Sequence, residues 1–508
     1  MTAEAPISHR AVLRILSGVL LGMFLAALDQ TVISTALPTM AADLSGVEHL
    51  SWVVAVYLLT STASTPIYGK LSDLYGRRSL LQGAITIFVG GSMFCAIAQS
   101  MPQLILARAV QGLGGGGLIT LAHAVIADHV SPRERGRYQG YLSGVWATAS
   151  VGGPVLGGFF VDHLSWRWVF WINLPIGALA YLLCWRALRH LTRKSESRAI
   201  DFLGACLLTS AVASLLLVAT WGGSQFPWLS LPIIALGGGG LALLALFLVQ
   251  ELRAIEPILP PRLFRNDVFR TANCTSFLVA MVLFGTTMLL PIFLQIVSGM
   301  SPGRSGMLMA PFMGATVVSS FITGRLMRST GRYKRLPIIG LSLATLGLAL
   351  LATMTVNTPV LAISSYLAII GMGFGFTFPV MLVSVQNAAD PRDIGVASSA
   401  VNFFRSMGGS FGAAILWSVL IVALGHRLAS GGAAVGDDSL ALLRGGPEGL
   451  ARLPQGLREA VLPALGYAFH VVFASAAGIA GVALAVAATL QERPLRTNTT
   501  TADRAAAD

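Results

Sequence analysis

Apolar runs of about 20 residues recur from one end of the chain to the other, broken only by short loops, and each is long enough to cross ~30 Å of hydrocarbon. Lipid offers no partner for backbone N–H and C=O groups, so a chain built of such runs must fold as helices that satisfy their own backbone. Composition agrees with this. Only 11% of the 508 residues are charged and 55% are hydrophobic, whereas a soluble domain carries roughly 25% charged residues. The 55 glycines suit helices that pack through small residues. The expected fold class is therefore all-α integral membrane.

Fourteen spans are expected, near 13–36, 51–68, 80–99, 103–127, 138–161, 168–187, 202–220, 230–250, 271–297, 303–323, 336–355, 360–384, 396–424 and 464–489. The division at 162–167 rests on Asp162, His163 and Arg167 interrupting a long apolar stretch. An even number of spans puts both termini on one side, and the positive-inside rule chooses that side. Lys70, Arg77 and Arg78, then Arg133, Arg135 and Arg137, then Arg325, Arg328, Arg332, Lys334 and Arg335 all fall in loops on the terminal side. The opposite loops are nearly free of Lys and Arg, apart from Arg167, Arg304 and four arginines in the 425–462 loop. Both termini are thus expected in the cytoplasm, and the formal charge of +12 reads as topology, not as a nucleic-acid footprint.

A weak repeat divides the chain. Gly69-Lys-Leu-Ser-Asp-Leu-Tyr-Gly76-Arg follows the second span and Gly324-Arg-Leu-Met-Arg-Ser-Thr-Gly331-Arg follows the tenth. The expected organisation is a six-helix bundle over 1–190, two inserted helices over 191–265, a second six-helix bundle over 266–490 with the outer loop 425–462, and a cytoplasmic tail over 491–508. Duplicated halves around a midplane site are a transporter architecture.

Asp29 sits in the first span with apolar residues for more than a turn on both sides. A charge there costs at least ~2.5 kcal/mol on insertion scales, and such residues are functional by default. A lone carboxylate in lipid serves most simply by taking up and releasing a proton. Arg108, in the fourth span, must snorkel, pair or line water. The glycine run after it has no Lys-Ser/Thr and follows no strand, which excludes a phosphate loop. Asp73 can pair with Arg77 or Arg78, or face the positive end of another helix. In the fifth span, Gly153, Pro154, Gly157 and Gly158 make a bent helix with a flat stripe. Arg405 is a second membrane arginine, which either lines a cavity, pairs with a carboxylate or binds backbone carbonyls. His123 and His470 read as packing residues ahead of a proton relay, and the four scattered cysteines have no metal-ligand spacing.

The motif Gly69–Arg78, the segment Arg108-x-x-Gln111-Gly112 and Gly153-Pro-x-x-Gly-Gly158 resemble the major facilitator superfamily. Leu28-Asp-Gln-Thr-Val-Ile-Ser-Thr-Ala-Leu-Pro38, Trp166-Arg-Trp-Val-Phe-Trp-Ile-Asn-Leu-Pro-Ile-Gly177 and Asn402-Phe-Phe-Arg-Ser-Met-Gly-Gly409 look like its fourteen-helix drug:proton antiporters, and the match covers almost the whole chain. The resemblance implies proton coupling by Asp29 and Arg108. It implies a conformational latch of Gly69, Asp73, Gly76, Arg77 and Arg78, set against the start of the thirteenth span near Gly395. It also implies an antiporter motif of Gly153, Pro154, Gly157 and Gly158. In the second copy of the loop Arg328 stands where Asp73 would be, so that copy is expected to keep the turn without the latch.

Gln30, Gln111, Trp146, Phe284, Met288, Phe403, Phe404 and Arg405 are candidate cavity groups. The expected function is proton-coupled antiport of lipophilic or cationic drugs out across the cytoplasmic (inner) membrane. The rivals are a proton-coupled metabolite transporter of the same fold and a non-transporting membrane sensor. Expected partners are a small lipophilic substrate, protons and the lipid bilayer, with a periplasmic adaptor left open and no nucleic acid. No cofactor and no metal are expected. No Cys/His, carboxylate-pair or Ser/His constellation suggests an enzyme.

Overall fold

The computed structural model describes residues 9–44, 49–188, 201–222, 226–355, 357–430 and 455–496. The apolar runs are helices, as a lipid solvent requires. They are α1 (His9–Asp43), α2 (Leu50–Tyr75), α3 (Arg77–Ala96), α4 (Met101–His129), α5 (Pro132–His163), the short α6 (Trp168–Trp171) and α7 (Asn173–Ala187). They continue with α8 (Phe202–Trp221), α9 (Leu231–Arg253), α10 (Asp267–Ile296), the short α11 (Pro302–Met307) and α12 (Ala310–Thr330). The last four are α13 (Arg335–Leu351), α14 (Val360–Ala388), α15 (Ile394–Ser430) and α16 (Gln455–Ala488).

Among the described residues, twelve helices are long and apolar enough to cross a membrane by length and composition. Helix α13 is apolar but only 17 residues long. Helix α2 has 26 residues, but its middle is diluted by Thr60, Ser61, Thr62, Ser64 and Thr65 and its end by Lys70 and Asp73. These segments are consistent with the expected fourteen spans. The division at 162–167 stands, because α5 ends at His163 and α6 begins at Trp168. Several helices outrun the apolar core that marks them in sequence; α1 continues through Pro38 to Asp43. Most of the 425–462 loop lies outside the described residues.

Helices α1 to α7 pack around two apolar clusters, one built on Val19, Phe88, Leu121 and Leu142 and the other on Leu28, Ile33, Met101 and Phe170. Helices α10 to α16 enclose a third, built on Leu289, Phe293, Leu348, Phe374 and Phe469. Helix α8, with α9 packed on it, lies on α2 and α15, astride the line where the two halves meet. A fourth cluster joins Leu208, Phe247 and Leu263 to Val383, Ala397 and Met407, tying this pair to the second half.

The hydrogen bonds that join the halves gather toward the end that carries the basic loops. Arg133 Nε donates to Arg328 O at 2.8 Å and Ser143 Oγ to Ser320 Oγ at 3.2 Å. Glycine permits the approach. A Cβ on Gly324 would strike the Gly136 backbone, and one on Gly69 would strike Ser399 and lie 2.9 Å from Gly395 O. The halves are thus closed against each other at the basic end.

Candidate functional site

Asp29 is 1% exposed on α1, and three side chains from two other helices converge on it. Arg108 Nη1, from α4, donates to Asp29 Oδ2 at 2.6 Å. Gln111 Nε2, one turn further along α4, donates to Asp29 Oδ1 at 2.8 Å, and Asn173 Nδ2, at the start of α7, donates to the same oxygen at 3.0 Å. The donors are themselves held. Arg108 Nη1 also donates to Gln111 Oε1 at 2.6 Å, Arg108 Nε donates to Val53 O at 3.2 Å, and its guanidinium lies 4.1 Å above the Tyr57 ring. Asn173 Nδ2 also donates to Ser92 Oγ at 2.9 Å, and Ser92 Oγ donates to Phe170 O at 2.9 Å.

Arg108 therefore pairs instead of snorkelling, because a guanidinium with a carboxylate in reach inside a low-dielectric bundle gains more from the pair than from stretching to water. Gln111 belongs to this network and is 0% exposed, which corrects its expected place on a cavity wall. Asn173 went unnoticed in the sequence although it stands in the Trp-Ile-Asn-Leu-Pro stretch. An asparagine amid apolar residues at a span's start was the available signal.

The second constellation lies at the basic end. Gly76, at φ 87°, lets α2 stop and α3 start within one residue. Asp73 thereby reaches the first turn of α15, where its Oδ1 accepts from Gly395 N at 3.1 Å and its Oδ2 from Val396 N at 3.0 Å. Carboxylate oxygens on the free N–H groups of a helix start satisfy donors that the helix cannot, and the helix dipole adds to the attraction. Arg77 Nη2 holds Asp73 Oδ1 at 2.6 Å, Arg77 Nε donates to Asp128 Oδ2 at 2.8 Å, and Arg77 also meets Ser72 Oγ. Asp128, at the end of α4, is a member that sequence reasoning missed; an acidic residue at the basic end of a span was its mark. A side chain on Gly395 would run into Asp73 Oδ1, so this glycine keeps the cap open. Among the described residues Arg78 makes no hydrogen bond or ion pair, and it is not part of this latch, contrary to expectation; its neighbour takes both carboxylates.

The second copy of the loop also turns on a left-handed glycine, Gly331 at φ 67°. It touches the first half through the Arg328 carbonyl and an exposed Arg328–Glu134 pair at 3.3 Å, and among the described residues it has no buried carboxylate cap.

Gly153 and Gly157 place α5 directly on α1. A Cβ on Gly153 would strike Thr31 and one on Gly157 would strike Thr35, while Thr31 Oγ1 donates to Ala149 O at 2.8 Å. Gly158 has open space where its Cβ would stand, and Pro154 is exposed. Only half of the motif therefore makes the close approach, and it does so within two turns beyond Asp29.

The remaining candidate residues scatter. Gln30 is half-buried beside Asp29, and Trp146 is half-buried against both clusters of the first half. Phe284 and Met288 are 47% and 50% exposed on α10. Phe403 is 7% exposed, packed at the basic end with Phe404, and so does not line a central cavity; Phe404 also meets Phe264. Arg405 is half-buried in the first third of α15, with the Phe378 ring 5.7 Å away. Asn402, three residues earlier, meets His123 Nδ1 of α4 at 3.3 Å. His470 binds the Met354 carbonyl.

The Major Facilitator Superfamily model matches residues 19–413. The Uncharacterized MFS-type transporter Rv1877 of Mycobacterium tuberculosis is 37% identical over 482 residues, 95% of this chain and 70% of that protein. The Multidrug transporter protein MdtP of Bacillus subtilis is 36% identical over 428 residues, 84% of this chain and 78% of that protein. Among solved structures, the human organic anion transporter MFSD10 superposes with a TM-score of 0.63 at 15% identity, covering 93% of this chain and 99% of that one. The proton:xylose symporter XylE superposes with a TM-score of 0.61 at 15% identity, covering 97% and 99%.

Proposed function

The chain belongs to the Major Facilitator Superfamily, and we propose that within it this protein is a proton-coupled antiporter that exports lipophilic compounds across the cytoplasmic membrane by alternating access. As a member of that superfamily it is a multi-pass membrane transporter and not an enzyme. Relatives at 36% and 35% identity are named as a multidrug transporter and a multidrug resistance protein, which supports export over import.

The observation that carries the proton reading is the carboxylate of Asp29 held by three donors. Its Oδ1 accepts from Gln111 and Asn173 and its Oδ2 from Arg108, so a proton taken up on Oδ2 weakens the ion pair with Arg108. Arg108 is the charged member, and proton and guanidinium compete for Asp29 Oδ2. Protonation from outside releases Arg108 and lets the buried Asp29 stay neutral. Return of Arg108 expels the proton inside. The α1–α5 contact at Thr31 and Thr35 couples this exchange to helix movement, because glycines on α5 leave no side chain to absorb a shift.

With the basic end facing the cytoplasm, the Asp73 cap on α15 holds the conformer that is closed inside. Export proceeds as the latch opens to load substrate and closes to release it outward, while protons move the other way. The test is purified protein in liposomes carrying a pH gradient and a lipophilic dye. Wild type accumulates the dye against its gradient as protons flow down theirs. Asp29→Asn, folded and inserted, leaves only downhill movement. Undiminished uphill movement by Asp29→Asn overturns the proton assignment.

A further inference from the structure

Among the described residues, three charged side chains stand deep within spans: Asp29, Arg108 and Arg405. The first two neutralise each other. Other buried charges have partners. Lys70 pairs with Glu256, Arg77 with Asp73 and Asp128, and Arg262 with Asp393, while Arg135 donates to Val130 O and Glu251 accepts from Ile258 N and Leu259 N. Arg405 is the exception. Among the described residues no carboxylate pairs with it and no oxygen accepts a hydrogen bond from it; the Phe378 ring at 5.7 Å is near the outer limit of a cation–π contact.

Its place in the fold gives this charge a direction. Arg405 lies eleven residues beyond Ile394, about 17 Å along α15 at 1.5 Å per residue. Residues three apart share a helix face, so Arg405 stands one turn beyond Asn402, on the side that meets His123 of the other half. Below it, toward the basic end, Asn402, His123, Gln386 and Ser398 bridge α4, α14 and α15, with Gln386 Nε2 donating to Ser398 Oγ at 2.9 Å and to His123 O at 3.4 Å. Arg405 thus stands one turn beyond that bridge, half-buried where α15 meets the first half.

We propose that Arg405 binds the acidic group of a lipophilic substrate, a carboxylate-bearing amphiphile, whose charge completes the ion pair that the protein leaves unfilled. The inference rests on the exporter reading, since it takes the bound compound to be cargo. It changes the expected cargo. The sequence by itself allowed a cation, on the strength of Asp29; with Asp29 held by Arg108, the charge left for a ligand is positive. A membrane arginine kept without a partner is costly to the folded protein, and a planar guanidinium offers the paired donors that a carboxylate accepts.

The charge balance supplies a signature. In a one-for-one exchange, an anion moving out while a proton moves in carries two charges inward, so an interior-negative potential drives it. A monocation exchanging for a proton moves no net charge.

The test uses one fluorescent aromatic compound in three forms, as carboxylate, carboxamide and amine, with purified full-length protein in phosphatidylcholine vesicles. Wild type is expected to bind the carboxylate at least tenfold more tightly than the carboxamide. Arg405→Gln is expected to lose that preference while binding the carboxamide unchanged, and Arg405→Lys to keep part of it. The melting temperature of Arg405→Gln should match or exceed that of wild type, because the substitution removes an unpaired charge. Equal binding of carboxylate and carboxamide by wild type, preference for the amine, or loss of all three compounds together in Arg405→Gln would overturn the proposal. So would displacement of the carboxylate from wild type by phosphatidylglycerol in the vesicles, which would assign Arg405 to a lipid headgroup. Carboxylate binding that depends on Arg405 without proton-driven movement would instead leave this site standing and remove the antiport reading.

Discussion

Arg108 Nη1 lies 2.6 Å from Asp29 Oδ2, with the two residues 79 positions apart in the chain and each 1% exposed. The partners are not equivalent. Without Asp29, Arg108 keeps Gln111 Oε1, the Val53 carbonyl and the Tyr57 ring. Without Arg108, Asp29 keeps only the two neutral amides. Removing one partner of a buried pair costs about 3–5 kcal/mol. Arg108→Gln is expected to fall in that range and Asp29→Asn well below it. The double variant Asp29→Asn/Arg108→Gln should recover most of the loss. Thermal unfolding in detergent checks the order; equal losses in both single variants would contradict it.

Asp73 is expected to govern which end of the protein is closed. Its two oxygens cap Gly395 N and Val396 N, and a lost cap costs about 0.5–2 kcal/mol. A change of that size moves a two-conformer equilibrium by about two- to thirty-fold. Spin labels at the exposed Tyr75 and Arg392, on the two sides of the latch, should show a population of longer separations in Asp73→Ala and a single short one in wild type.

The glycines of α5 separate by function. Gly153→Ala and Gly157→Ala each drive a methyl into a threonine of α1, whereas Gly158→Ala meets open space. The first two are expected to cost about 1–3 kcal/mol through overpacking and to depress uphill export. Gly158→Ala should behave as wild type in both melting temperature and transport. Three equal phenotypes would show that the motif acts through something other than this contact.

The segment after α16 is docked and bridges the halves. Gln491 O accepts from Tyr333 Oη at 3.0 Å, Pro494 O from Asn387 Nδ2 at 3.2 Å, and Arg496 O from Arg133 N at 3.4 Å. Truncation after Leu490 is expected to speed amide exchange in the α12–α13 turn around Gly331 and to favour opening at the basic end. Hydrogen-exchange mass spectrometry reads both effects, and unchanged exchange at that turn would show that the tail only rests there.

Much of the fold was legible because lipid permits so few solutions. Apolar length alone places α4, α10 and α14, and the break before Trp168 was visible in Asp162, His163 and Arg167. The latch was half legible: the spacing of Gly69, Asp73 and Gly76 marked the turn, yet Asp128 and the idle Arg78 could not be told apart from other loop charges. The antiporter motif was legible as a glycine stripe, but which glycines touch α1 was not, since helical phase relative to a neighbour is a property of packing. Phe403 was misjudged because an aromatic residue in a span gives no sign of whether it faces a cavity, lipid or the core.

The sequence by itself determined that this chain lives in a membrane as helices, that its basic loops share one side, and that Asp29, Arg108 and Arg405 are expensive enough to matter. Each of these follows from single-residue transfer energies, which need no neighbours. Only the tertiary structure decided which charges cancel. Arg108 crosses from α4 to α1 to neutralise Asp29, and Asp73 crosses from one half to the other to cap α15. Among the described residues Arg405 is left without a carboxylate. Electrostatic energy depends on distance and on the surrounding dielectric, and both are set by how the helices pack.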